Sequence, residues 1–168
     1  MAMATAEPNL VFFDLETQKS FEEVGGRDNF RALKLSVAVT FSSRDGCFSE
    51  FREGDAGKLV EALQAADLVV GFNTKRFDYE VLAAYTKVDL QKLPSLDMLE
   101  EVHRSLGFRI GLDALASATL GERKSADGLQ AIAWFRQGEF RKLLDYCRQD
   151  VMVTMDLYQF GKKNRSLM

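Results

Sequence analysis

Leu10-Val11-Phe12-Phe13-Asp14-Leu15-Glu16-Thr17 is the stretch on which the reading of this chain turns. Its first four residues are apolar on both faces, the pattern of a central strand covered on both sides. Strand alternation then puts Asp14 and Glu16 on one face, with Cα atoms roughly 6.6 Å apart. They lie at the C-terminal end, where open α/β sheets hold their ligands. Two like charges this close work against the strand unless a cation lies between them. The ordinary alternative is a strand that stops at Phe13 and leaves both acids in solvent.

Outward from this stretch, Leu35 to Phe41 reads as a second strand and Cys47 to Phe51 as a third, turned by Arg44-Asp45-Gly46. Residues 17–32 are polar and contain Gly25-Gly26, which predicts a mobile loop. Leu59, Val60 and Leu63 recur at helical spacing within a helix over about 55–66, and Leu68 to Phe72 is a short buried strand. From there the pattern is helical, over about 77–86, 98–106, 112–120, 127–137 and 139–160. Hairpin strands followed by strand–helix alternation imply an α/β fold, a central mixed sheet of about five strands flanked by helices.

The composition supports one soluble globular domain over residues 1–168: 46% apolar, 28% charged, 12 Gly and 2 Pro. Cys47 and Cys147 lie too far apart for a disulfide framework, and a single histidine, His103, excludes a His–Cys zinc site. No apolar run approaches the roughly 18 residues of a membrane span. Met1 to Asn9 has neither a basic nor an apolar leader segment, so no membrane association and a cytoplasmic location are expected. The net charge of −3 argues against coating nucleic acid by bulk charge, although four carboxylates sequestered with cations would reverse its sign. Basic residues thicken late, at Arg123, Lys124, Arg136, Arg141, Lys142, Arg148, Lys162, Lys163 and Arg165. They suit either solvated helix faces or a phosphate-contacting rim.

The informative residues are acids at positions where the period demands apolar ones. In the last helix Phe140, Leu143, Leu144, Cys147, Val151, Met155 and Tyr158 form the apolar stripe. At about 100° per residue, Asp150 falls opposite the polar face, and Tyr146 stacks on the same buried side one turn earlier. A buried carboxylate must be protonated, paired or bound to metal. Asp78 shares a face with Val81, Leu82 and Tyr85, and Asn73 is placed to cap that helix. An acid that simply favours the helix dipole would also explain Asp78. Four acids on three elements have a common explanation in two divalent cations. All-oxygen ligands select Mg²⁺ or Mn²⁺ over zinc.

Phe13-Asp14-Leu15-Glu16-Thr17 resembles the first motif of the DEDD (DnaQ-like) superfamily of 3′→5′ exonucleases, which have an RNase H-like fold. Gly71-Phe72-Asn73-Thr74-Lys75-Arg76-Phe77-Asp78 resembles the second motif. Tyr146-Cys147-Arg148-Gln149-Asp150 is similar to the third in its tyrosine variant, DEDDy; the histidine variant needs His at 145, where this chain has Asp. His103 lies too far upstream to substitute and reads as a surface helix residue. Leu112 to Gly121 resembles the helix that the family places between the second and third motifs, with Asp113 as an acid of its first turn.

The resemblance implies a metal-dependent 3′→5′ exonuclease that releases nucleoside 5′-monophosphates from single-stranded or frayed ends. It implies that Asp14, Glu16 and Asp150 bind one cation, that Asp14 is shared, and that Asp78 supports a second. It implies that Tyr146 orients the attacking water, a phenol being a poor base with its ordinary pKa near 10. A core aromatic with a satisfied hydroxyl is the plainer account of Tyr146. Thr17 and Asn73 are implied contacts to the terminal nucleotide. Phe21 or Phe30 could stack on bases, or pack in the core. The chain is most similar to stand-alone or helicase-associated nucleases, so the expected partners are nucleic acid and a helicase or other nucleic-acid-processing protein. A structure-specific endonuclease on the same fold and an inactive binding or scaffold protein are the competing functions. The oligomeric state and the choice between DNA and RNA stay open.

Overall fold

The computed structural model describes residues 6–121 and 127–164. β1 (Leu10–Thr17) runs through the middle of a five-stranded mixed sheet. β2 (Leu35–Ser42) pairs antiparallel with β1, and β3 (Cys47–Arg52) pairs antiparallel with β2. On the other side β4 (Leu68–Gly71) and β5 (Ser95–Asp97) add in parallel, so the order is β3-β2-β1-β4-β5. β1 does not stop at Phe13. Asp14 pairs with Val39 and Glu16 with Val37, and a bulge follows between Glu16 and Thr17. Bulges re-aim side chains and are common beside active sites.

The two-residue period of β1 sorts the core into two layers. Val11, Phe13 and Leu15 face α2 (Ala56–Gln64), α3 (Tyr79–Leu82) and Leu33 of α1 (Phe30–Leu33). Phe12, with Val37, Val39 and Val70, faces α4 (Met98–Leu106), α5 (Leu112–Leu120), α6 (Gly128–Arg136) and α7 (Phe140–Asn164). α7 lies across β1 and β2 and fully buries Leu143, Val151 and Leu157, each such burial stabilising by about 1.5–3 kcal/mol. Asp14 and Glu16 share the face of Phe12 and therefore look toward α7.

Three elements differ from the sequence reading. β5 was not among the strands placed from sequence, because three residues show no period; its pairing with β4 creates it. The helix expected over 77–86 is instead one wide π-type turn, Thr74–Asp78, followed by the four-residue α3. Such turns are rare and concentrate at functional sites. The segment 17–32 is folded down rather than open. Gln18 and Lys19 donate their N–H groups to Lys34 and Leu33 carbonyls at 2.9 and 3.2 Å. Phe21, Phe30 and Phe77 meet edge to face with centroids 5.5–6.0 Å apart against the first core layer, so both loop phenylalanines are packing residues.

Gly71 closes β4 where the turn returns toward β1. A Cβ there would lie 1.9 Å from Thr74 Oγ1 and 3.3 Å from the carbonyl oxygen of Phe13. Thr74 is buried, so it has no room to yield. Gly71→Ala is expected to destabilise the chain by about 1–3 kcal/mol, the cost of overpacking a tight core, read as a lower urea midpoint at unchanged slope.

Candidate active site

The end of β1, the turn Thr74–Asp78 and the middle of α7 converge at one edge of the second layer. Cys147 docks the helix: its thiol donates to the main-chain carbonyl of Asp14 at 3.3 Å and lies 3.7 Å from Asp14 Oδ2. Ligand-type atoms of Asp14, Glu16 and Cys147 all fall within 4.8 Å of one another. Asp150, one turn beyond Tyr146, is 6% exposed, as is Tyr146 itself. The Tyr146 ring meets Trp134 of α6 edge to face at 5.9 Å. Both residues thus occupy the buried side that the helical period assigned to them.

Asp78 completes the group from the turn. It is 3% exposed, and its Oδ2 is buried without a hydrogen-bond partner. Burial pushes its carboxyl well above the usual range, and the charges of Asp14, Glu16, Asp97 and Asp150 push it further. Burial, then Asp14 and Glu16, likewise raise the Cys147 thiol. Its hydrogen is directed to the Asp14 carbonyl, so in this arrangement the thiol acts as a donor. What remains is a set of carboxylate oxygens with one buried acceptor lacking a donor. Hard divalent cations fit that set.

Thr17 and Asn73 stand apart from these carboxylates in their bonding. Thr17 is buried, and its hydroxyl donates to the carbonyl of Lys19 at 2.9 Å. Asn73 does not cap a helix. Its backbone is left-handed at φ 59° and its side chain makes no cap bond; instead its Oδ1 accepts from Arg109 Nη2 at 3.0 Å. The wide turn replaces the regular first helical turn that a cap would serve. Beside Arg109, Phe108 is 58% exposed. His103 is exposed on α4, as its register suggested.

A cavity of about 360 Å³ adjoins the acids, lined by Glu16, Thr17, Phe21, Phe77, Leu129 and Ile132 among others. Of the late basic residues, Arg136 pairs with Glu23, and Arg141 with Glu50 and Asp145. Arg148 lies over the ring of Phe48 at 4.0 Å. Arg123, Lys124 and Arg165 lie outside the described residues. One buried acid escaped the sequence reading, Asp97, whose carboxylate accepts from the N–H groups of Leu99 and Glu100 at the start of α4. An acid directly before an apolar helical run was a readable cap signal.

No curated protein matches the sequence of this chain. Among solved structures it is similar to the family B DNA polymerase of the hyperthermophilic archaeon Pyrobaculum calidifontis, at 19% identity and a TM-score of 0.67. That match covers 97% of this chain and 25% of the polymerase, and at this identity the likeness is one of fold. The RNase_H_2 family model matches residues 11–160, a span that takes in β2 to β5, all of β1 but Leu10, and every acid of the site. This chain belongs to the RNase H superfamily.

Proposed function

We propose that this chain is a metal-dependent 3′→5′ exonuclease of the DEDDy type, acting on single-stranded or frayed ends of nucleic acid and releasing nucleoside 5′-monophosphates. The observation that carries the reading is the convergence of Asp14, Glu16, Asp78 and Asp150 around a buried oxygen without a donor, beside a cavity of ligand size. Asp14, Glu16 and Asp150 hold one cation, with Asp14 shared, and Asp78 supports the second. Bound Mg²⁺ or Mn²⁺ supplies charge neutralisation at the scissile phosphate and activation of water.

The chain's own residues bind and orient. Tyr146, held by its ring on Trp134, directs its hydroxyl to the attacking water. Thr17 and the cavity that it lines with Leu129 and Ile132 receive the terminal nucleotide. Asn73 and Arg109 form a polar rim that meets the backbone. Phe108 offers an exposed ring to the next base, a contact worth about 1–3 kcal/mol.

Hydrolysis of 5′-labelled single-stranded DNA and RNA in Mn²⁺, Mg²⁺ or EDTA tests this directly. A metal-dependent ladder shortening from the 3′ end, with circular strands untouched, is expected. Nicked circles would move the reading to an endonuclease, and tight binding without cleavage to a binding protein. Tyr146→Phe keeps the ring contact, so its melting temperature should hold while the rate falls about 10–100-fold, the usual cost of losing a supporting contact at a metal site.

A further inference from the structure

Asp97 is 4% exposed, and its carboxylate reaches two elements at once. Oδ1 accepts from the N–H of Leu99 at 3.1 Å and Glu100 at 3.4 Å, capping α4. The same oxygen accepts from the N–H of Asn73 at 2.9 Å, and Oδ2 accepts from the N–H of Lys75 at 3.1 Å. The two extra bonds grip the left-handed residue and the second position of the turn that ends in Asp78. Lys75 ties the same turn to α4 through its ammonium on Glu100 at 2.7 Å.

We propose that Asp97 is a positioning residue of the nuclease site, fixing the turn Thr74–Asp78 so that the Asp78 carboxylate stays where it can hold a divalent cation. This rests on Asp78 being a metal-supporting acid. The physical need is plain. Asp14, Glu16, Asp97 and Asp150 all bear on Asp78, so their charges push against its carboxylate whenever it is ionised to meet a cation. A wide turn lacks the regular helical ladder that would resist that push. Metal sites require ligand atoms within about 0.2 Å of ideal distances. The bonds from Asp97 to Asn73 and Lys75 supply the missing restraint from a rigid base, the junction of β5 with α4.

Asp97→Asn separates the two duties. The amide keeps an acceptor for Asn73, Leu99 and Glu100, and places an NH₂ against the N–H of Lys75, because the flipped amide would oppose three donors. Asp97→Ser is a second arm: serine is an equally good cap for α4 but too short to span to the turn. Asp67→Asn, which weakens a main-chain bond to Asn9 far from the site, is the control.

Mn²⁺ binding is measured by calorimetry without substrate, alongside amide hydrogen exchange. Both Asp97 variants should bind Mn²⁺ about 10–100-fold more weakly than the parent. Exchange should accelerate at Lys75 to Asp78 while the α4 amides beyond Glu100 stay protected. Activity should recover at high Mn²⁺, and Asp67→Asn should match the parent. Parental Mn²⁺ affinity with unchanged exchange in the turn would overturn the proposal. A parent chain that binds no Mn²⁺ would instead overturn the metal assignment on which it rests.

Discussion

Asp78→Asn is expected to make the metal-free chain more stable while removing its nuclease activity. The two effects have one source. The carboxylate is buried, carries an oxygen without a donor, and is pushed toward its protonated form by burial and by its acidic neighbours. An amide of equal volume carries no charge and presents N–H groups to those carboxylates. A gain of about 1 kcal/mol, or roughly 2–4 °C in melting temperature for a chain of this size, should be seen in EDTA near neutral pH. The same change removes a ligand oxygen from the second cation, so the hydrolysis rate should fall by more than the ~100-fold that bounds the loss of a supporting contact. Asp150→Asn and Asp14→Ala should abolish activity likewise. An Asp78→Asn chain that melts earlier and still cleaves would refute both halves.

The second large effect is a coupling of metal to pH. Because the Asp78 carboxyl in the folded chain lies well above its ordinary 3.8, the folded state holds the proton more tightly than the unfolded state. Below the ordinary value both states are protonated and the group costs nothing. As pH rises from about 4 through the folded-state value, the unfolded chain ionises first and the metal-free protein loses stability; above that value the loss is complete and constant. A divalent cation that binds the ionised carboxylate removes the penalty and releases the proton. A fixed Mn²⁺ concentration that is a hundredfold over the dissociation constant at pH 8 stabilises by about 2.7 kcal/mol there, and the shift should be smaller at pH 5, where the proton competes for the carboxylate. Melting curves across that range, with Mn²⁺ against EDTA, check it. Equal shifts at both ends would mean that Asp78 does not titrate on binding.

Much of this site was legible because its residues break local periods. Asp150 and Tyr146 stand on the apolar side of α7, and three or four residues suffice to show it. Asp14 and Glu16 follow an apolar run that only a central strand explains, and β1 does carry both within its ladder. The two layers on either side of β1 follow from the same alternation.

Other features depended on partners distant in sequence. Helical spacing after Asn73 promised a regular helix, yet the chain makes a wide turn, with Asn73 left-handed and its side chain on Arg109. Phe21 and Phe30 sit in a polar, glycine-bearing stretch that reads as an open loop, and Phe77 draws them onto the core. Periodicity in the chain therefore determined which elements form, which face each one buries and which acids lie on that face. Tertiary structure decided how the second acidic motif is presented, because the bonds from Asp97 to Asn73 and Lys75 span 24 and 22 residues. A main-chain donor has the same chemistry at every position, so no side-chain pattern marks which ones a distant carboxylate will take.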